Sequence, residues 1–288
     1  MTRLEVRKTY KLYIGGEFPR SESGRSYPIS SDGEVVANVA RGSRKDLREA
    51  VRAARQALPA WAGKTPYNRG QVLYRVAEMV EDRRDSFVEQ LGMNGSGPRQ
   101  ARTEVDRSID RLVWYAGWAD KFDQVAGNLN PVAGPFFNIS TPEPTGVVGM
   151  AAAEEPPLVP LVSRLAPIIV SGNTAVVLPC EHNPLPAVTF AEALATADLP
   201  GGVVNIVTGY REELVPVLAA HMDVNAFDAF GLGWDQLEEV EVLGAENVKR
   251  VARPPEQPID WSDDRVAQSP YWITAFTEIK TVWHPKGM

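Results

Sequence analysis

Between positions 146 and 252 the chain alternates short apolar runs with stretches of helical periodicity, and that rhythm restricts its fold more than any other feature. Apolar runs at 147–150, 175–178, 203–207 and 226–230 are separated by helical stretches near 157–170, 185–197, 211–220 and 233–243. Strands interleaved with helices of that length make βαβ units, so a parallel sheet with both faces covered follows. Val248-Lys-Arg-Val251 is read as one further strand.

The part before this rhythm is helical. Leu12-Tyr-Ile-Gly-Gly-Glu-Phe18 predicts a short strand and a turn, with the paired glycines supplying positive φ. Ser43 and Asp46 form a variant capping box ahead of a helix carrying Leu47, Val51, Ala54 and Leu58 inward, with Trp61 past its end. Thr65-Pro66 starts a second helix whose buried stripe is Val72, Leu73, Val76, Met79 and Val80. Asn94-Gly-Ser-Gly-Pro98 interrupts the chain. A third helix then turns Val105, Ile109, Leu112 and Val113 inward and its arginines outward, with Trp114 and Trp118 as packing residues.

Bulk properties narrow the function classes. At 288 residues the chain can bury a sizeable core, and its net charge of −7 argues against nucleic acid or an anionic membrane as partner. No apolar run is long enough to span a bilayer, and the opening Met-Thr-Arg-Leu-Glu-Val-Arg-Lys lacks the core of a secretory signal. A single cysteine, Cys180, suits a reducing cytoplasm, and three dispersed histidines (His182, His221, His284) offer no metal-ligand spacing. The expectation is a cytoplasmic protein without a metal.

The organisation that follows is a helical part at 1–130, a β-hairpin at 131–145, a Rossmann-like domain at 146–252, a polar linker at 253–270 and a terminal strand at 271–288. The fold class is α/β: an N-terminal helical layer on a Rossmann-like parallel sheet, with a small β oligomerisation arm built from the hairpin and the last strand. That strand is dense in β-branched and aromatic residues, with a bend or a helical first half left open. Its apolar residues fall on both faces, so Phe136, Phe137, Trp272, Phe276, Ile279 and Trp283 are the candidate interface residues.

Several runs, in order, carry a family likeness: Tyr13-Ile-Gly-Gly-Glu-Phe18, the helix 50–61, Gly146-Val-Val-Gly149, Gly172-Asn-Thr-Ala-Val-Val-Leu178 and Leu199-Pro-Gly-Gly-Val-Val-Asn-Ile-Val-Thr-Gly209. Together they resemble the cofactor domain of aldehyde dehydrogenases. The terminal Thr277-Glu-Ile-Lys-Thr-Val-Trp-His-Pro285 is similar to the oligomerisation ending of the subfamily in which a catalytic copy is fused to a degenerate second copy. The likeness implies an arm that reaches a neighbouring subunit, and a helix at 233–243 that pairs across a dimer.

The positions that the likeness would make functional depart from it. A Pro-Trp-Asn element, whose asparagine donates to the developing oxyanion, is replaced by Ala153-Glu154-Glu155; losing one such donor costs about 3 kcal/mol of transition-state stabilisation. Lys-Pro-Ser-Glu, which holds the adenosine ribose, becomes Pro179-Cys180-Glu181, retaining only Glu181. Phe-Thr-Gly-Ser, which lines the cofactor phosphates, is matched nearest by Phe230-Gly231-Leu232, where Gly231 persists. Ala252-Arg-Pro-Pro255 stands where the general base is expected, and the nucleophilic cysteine with its domain has no counterpart before the tail.

Cys180 reads as a packing residue rather than a nucleophile, and Glu154 with Glu155 as caps of a helix start rather than an acid/base pair. The sequence therefore predicts a non-catalytic, structural or regulatory subunit with no catalytic residue and no metal. Its cofactor expectation is none, with NAD(P) left open through vestigial contacts at Glu181 and Gly231. Its expected partner is a full-length aldehyde dehydrogenase subunit, itself, or both. Two alternatives stay open: an NAD(P)-dependent aldehyde oxidoreductase completed by a partner chain, and a small-molecule sensor using the cleft beneath Gly231.

Overall fold

A computed structural model describes residues 8–31, 33–93 and 95–287. Three strands, β1 (Thr9–Tyr10), β2 (Ser26–Ser31) and β3 (Glu34–Ala40), open the chain as a small sheet in the order β1-β3-β2. The strand expected at 12–18 is reduced to isolated bridges, Tyr13 with Ile206 and Ile14 with Glu17, around a turn with Gly15 at φ 64° and Gly16 at φ 89°. A side chain on Gly16 would also strike Gly201, its Cβ falling 2.9 Å from that Cα.

Four helices follow: α1 (Arg44–Ala62), α2 (Pro66–Asp82), α3 (Arg84–Gly92) and α4 (Pro98–Trp118). The capping box at Ser43 and Asp46 is formed, and Thr65 caps α2 with Pro66 in its first turn. Trp61 lies within α1, not beyond it, because its indole N–H donates to the Ile169 carbonyl at 2.9 Å and holds the last turn against the sheet domain. Helix α3 has no counterpart in the expected pattern. Of the break expected at 94–98, Asn94 lies outside the described residues. On α4 two expectations are reversed: Val113 is exposed and Arg111 is buried. Arg111 reaches Asp264 at 3.0 Å and the Trp261 carbonyl at 3.4 Å, so the later linker covers it.

After α5 (Phe122–Ala126), strands β4 (Asn128–Asn130) and β5 (Phe136–Pro144) make the hairpin, which starts before the expected boundary at 131. The βαβ region then runs β6 (Val147–Ala151), α6 (Val159–Val170), β7 (Thr174–Leu178), α7 (Leu185–Ala195), β8 (Val204–Ile206), α8 (Arg211–Ala219), β9 (Ala226–Asp228), α9 (Trp234–Gly244) and β10 (Arg250–Ala252). These five strands form one parallel sheet, ordered β10-β9-β6-β7-β8. One face packs Leu165, Ile168 and Phe190 against Val76, Phe87 and Val105 of the N-terminal helices. The other packs Val176 and Phe227 against Leu47 and Val51 of α1, Leu218 of α8 and Val240 of α9. Burial on both faces explains why the strands read as uninterrupted apolar runs. Among the described residues no helix is long and apolar enough to cross a membrane.

The C-terminal region departs from a single strand. Ser269 caps a short helix, α10 (Pro270–Thr274), and only then does β11 (Thr277–Pro285) pair antiparallel with β5, from Thr277 opposite Pro144 to Pro285 opposite Phe136. The arm is thus three-stranded, in the order β11-β5-β4. Two of the six expected interface residues are corrected by this turn. Phe276 is fully buried in the chain's own core, and Trp272 packs edge-on to Phe230 at 5.8 Å and Trp261 at 6.1 Å. Phe136, Phe137, Ile279 and Trp283 remain exposed.

Candidate functional site

Strand β6 lies between β7 and β9, and the helices that follow β6 and β9 leave toward opposite faces of the sheet. The crevice outside the carboxyl ends of those two strands is where an open parallel sheet ordinarily receives a ligand. Here it holds the side chain of Arg211, the first residue of α8, which is 6 % exposed. Its guanidinium donates to the carbonyls of Gly231 at 3.0 Å, Pro179 at 3.2 Å and Ala152. Those three carbonyls follow β9, β7 and β6, so one side chain fastens three strand ends.

Glu154, just after β6, sits beside this guanidinium, with Oε1 2.7 Å from Arg211 Nε in a charge contact rather than a directed hydrogen bond. Its Oε2 accepts from Cys180 Sγ at 3.1 Å, from the Glu181 N–H at 3.0 Å and from His182 Nδ1 at 3.0 Å. Burial alone would raise the Glu154 carboxyl, but Arg211 and the hydrogen bonds from His182 and Cys180 outweigh it and hold the group below the usual range. The same carboxylate raises the His182 imidazole. Burial, then the Glu154 charge, pushes the Cys180 thiol far up. Cys180 is therefore a protonated donor in a structural knot, the opposite of what a nucleophile requires.

Glu154 and Glu155 do not cap a helix as expected. That part is taken by Glu104 of α4, which accepts from the N–H groups of Leu158 at 2.8 Å and Val159 at 3.2 Å at the start of α6. Glu181 accepts the Arg211 backbone N–H at 2.8 Å and so closes the first turn of α8. Gly231 is held against β6: a Cβ there would lie 2.2 Å from the Ala152 carbonyl oxygen. Its own N–H donates to Ala151 at 3.1 Å, that of Phe230 to Asp228 at 3.0 Å and that of Leu232 to Ala229 at 3.0 Å. A dinucleotide pyrophosphate is bound by free backbone N–H groups in such a turn. These three are engaged, whereas the start of α9, just after Gly233, carries no side-chain cap.

The sequence reading missed the pair next to this crevice. Arg164 of α6 meets Asp228 at the end of β9, with Nε and Nη2 at 2.8 and 2.7 Å from Oδ2 and both side chains almost fully buried. The Arg164 guanidinium also lies 3.6 Å from the Phe230 ring centre and 4.6 Å from that of Trp272. The available signal was a lone arginine in the otherwise apolar Leu161-Val-Ser-Arg-Leu165 and an aspartate closing an apolar strand. Beside Phe230, a cavity of about 440 Å3 lies between Glu155 and the linker. Trp261 separates it from a second cavity of about 500 Å3 against α4.

Comparison with known proteins places this geometry. The model of the aldehyde dehydrogenase family matches residues 21–251. Human aldehyde dehydrogenase 1A1 is 33 % identical over 258 residues, covering 87 % of this chain and 51 % of that protein. Mouse retinal dehydrogenase 2 is 33 % identical over 255 residues, covering 86 % and 48 %. Among solved structures, HpcC from Thermus thermophilus superposes with a TM-score of 0.79 at 31 % identity, covering 85 % of this chain and 47 % of that one. An NAD+ complex of an aldehyde dehydrogenase from Bacillus cereus gives 0.79 at 27 %, covering 85 % and 50 %. The chain spans about half the length of the relatives it matches.

Proposed function

The chain belongs to the aldehyde dehydrogenase family, and from that premise we propose that it is a non-catalytic subunit with a structural or regulatory role. It assembles, in this reading, with a full-length aldehyde dehydrogenase, with itself, or with both, in the cytoplasm. The observation that carries the proposal is Arg211. Its guanidinium occupies the crevice at the strand ends and bonds the carbonyls that border it. A dinucleotide entering there would have to break that buried network.

Two further observations support it. The only cysteine is a buried thiol kept protonated by its burial and, after that, by the Glu154 charge. The three-stranded arm, by contrast, keeps Phe136, Phe137, Ile279 and Trp283 exposed. Titration calorimetry with NAD+ and NADP+ tests the reading, which expects no binding heat at millimolar ligand. Measurable binding together with aldehyde-dependent turnover would defeat it.

A second reading, an NAD(P)-dependent aldehyde oxidoreductase completed by a partner chain, draws on the likeness to the Bacillus cereus NAD+ complex. Against it, linker residues between 254 and 262 already line the cavity beside Phe230, and the linker is tied down by Asp264 on Arg111 and Arg107 and by Trp261 against Trp272. A partner's reactive groups would have to displace that segment. Mixing the purified chain with a separately purified dehydrogenase and measuring turnover per active subunit separates the two readings.

A further inference from the structure

We propose that the cleft between the first turns of α1 and the end of α8 is a binding site for a short dicarboxylate, whose two carboxylates are taken by the guanidinium groups of Arg44 and Arg48. The cleft has a volume of about 450 Å3 and is lined by Arg44, Lys45, Arg48, Val217, Ala220 and His221. It lies at the far end of α8 from Arg211, and so is separate from the crevice at the strand ends.

The charges around α1 single out these two side chains. Between positions 41 and 55 the sequence sets Arg41, Arg44, Lys45, Arg48, Arg52 and Arg55 against Asp46 and Glu49, in a chain whose net charge is −7. Arg41 meets Glu213, Lys45 meets Glu22 and Arg52 meets Glu49. Arg55 donates to the Asp223 carbonyl and to Asn225 Oδ1. Asp46 is buried, and its carboxylate accepts from Ser21, Glu22 and Ser43. Among the described residues, only Arg44 and Arg48 of this set have neither a carboxylate nor a carbonyl partner, and both line the cleft. Arg44 also stands at the positive end of the α1 dipole, where a cation is disfavoured.

The opposite wall suits the rest of such a ligand. His221 Nδ1 accepts the Asp223 N–H at 3.2 Å, which leaves Nε2 to carry the proton and donate. Burial pushes this imidazole down; Asp223 opposes the shift, and the charges of Lys249, Arg48 and Arg55 add to it. The group is therefore a neutral donor in a field set by cations. The end of the α8 dipole opposes an anion, and the start of α1 offsets it. Val217 and Ala220 give a small apolar surface for methylene groups. Arg44 and Arg48 are one helical turn apart, which sets their Cβ atoms about 5–6 Å from each other. That matches the separation of the carboxyl carbons in an extended five-carbon diacid, and each guanidinium can donate two N–H groups to one planar carboxylate. A single tetrahedral anion leaves one of the two forks unmatched. Among the described residues no aromatic ring lines the cleft, so the stacking that holds nucleic acid strands is missing.

Titration calorimetry on the full chain at constant ionic strength tests the site, with glutarate, acetate and inorganic phosphate as probes. Glutarate should bind at a single saturable site at least about ten-fold tighter than acetate or phosphate, since two charge-assisted forks then act on one molecule. Arg44→Gln and Arg48→Gln should each weaken glutarate about ten-fold or more. Arg52→Gln, outside the cleft and facing Glu49, should leave glutarate binding unchanged. Arg44 and Arg48 are exposed, so the urea midpoints of their variants should stay close to that of the wild type, and lost binding then reports contact rather than folding. Acetate or phosphate binding as tightly as glutarate overturns the dicarboxylate assignment. Glutarate binding that survives both substitutions, or no saturable heat with any probe, overturns the site.

Discussion

Arg164 and Asp228 face each other across the end of the parallel sheet as a buried ion pair in which Nε and Nη2 converge on one oxygen, Oδ2, the side chains being 2 % and 1 % exposed. The pair joins α6 to β9, and the guanidinium also supports Phe230 and Trp272. It therefore links the sheet to the segment that leads into the arm. Removing one member leaves a buried charge uncompensated. Arg164→Met should cost about 3–5 kcal/mol, whereas the double change Arg164→Met with Asp228→Leu should recover much of that loss. Urea midpoints of the single and double variants measure this. Recovery by the double change would mean that the pair specifies the junction rather than stabilising it net.

Glu154 gives the stability a defined pH dependence. Its carboxyl is held below the usual range when folded, by Arg211, His182 and Cys180 acting against burial. Where the folded state binds the proton less readily than the unfolded one, the contribution is complete above the unfolded pKa. It disappears as pH falls through the folded value. Glu154→Gln should therefore lose about 1–3 kcal/mol at pH 7, reduced by the partial exposure of the site. The gap between variant and wild type should narrow progressively as pH falls below the ordinary carboxylate range. Denaturant titrations at pH 7 and pH 3.5 check this; an undiminished gap at low pH would place the effect in packing instead.

Periodicity made the parallel sheet legible, since the strands are apolar on both faces and their helices have conventional lengths. Capping at Ser43 and Thr65 was legible because it depends on residues adjacent in the chain. What stayed hidden was set by partners far away in sequence. Val113 has the apolar character of a core residue, but Arg111 takes the inward position because Asp264 lies opposite it. Phe276 looks like a strand aromatic, yet the helical turn α10 folds it under the sheet domain. Glu154 sits where a helix cap would serve, but that site is filled by Glu104 from another helix. The departures at Ala153-Glu154-Glu155 were readable as substitutions. That the carboxylate answers Arg211 required the fold.

Cys180 offers a direct test of the chemistry assigned to this chain. Its thiol donates to Glu154 at 3.1 Å and accepts the Asn183 N–H at 3.2 Å, and its pKa is driven upward by burial. A thiol kept protonated reacts slowly. Labelling of the native protein by iodoacetamide at pH 8 should be at least about ten-fold slower than labelling of the urea-unfolded chain. Cys180→Ser should leave any measured oxidoreductase signal unchanged. Rapid stoichiometric labelling of the folded protein would contradict the buried-donor assignment.

Trp283 separates assembly from folding. It is 57 % exposed and packs edge-on to Phe136 at 5.9 Å on one face of the arm, away from the core that stabilises the sheet domain. Substitutions at exposed positions usually change stability by no more than about 0.5 kcal/mol. An anchoring aromatic at an interface loses about 2 kcal/mol or more of association energy on truncation. Trp283→Ser should thus weaken oligomerisation by an order of magnitude or more while leaving the urea midpoint of the dissociated chain nearly unchanged. Sedimentation and unfolding measured on the same preparations distinguish the two effects. Equal loss in both would show that the tryptophan serves the fold of the chain itself, and the arm would then need another anchor.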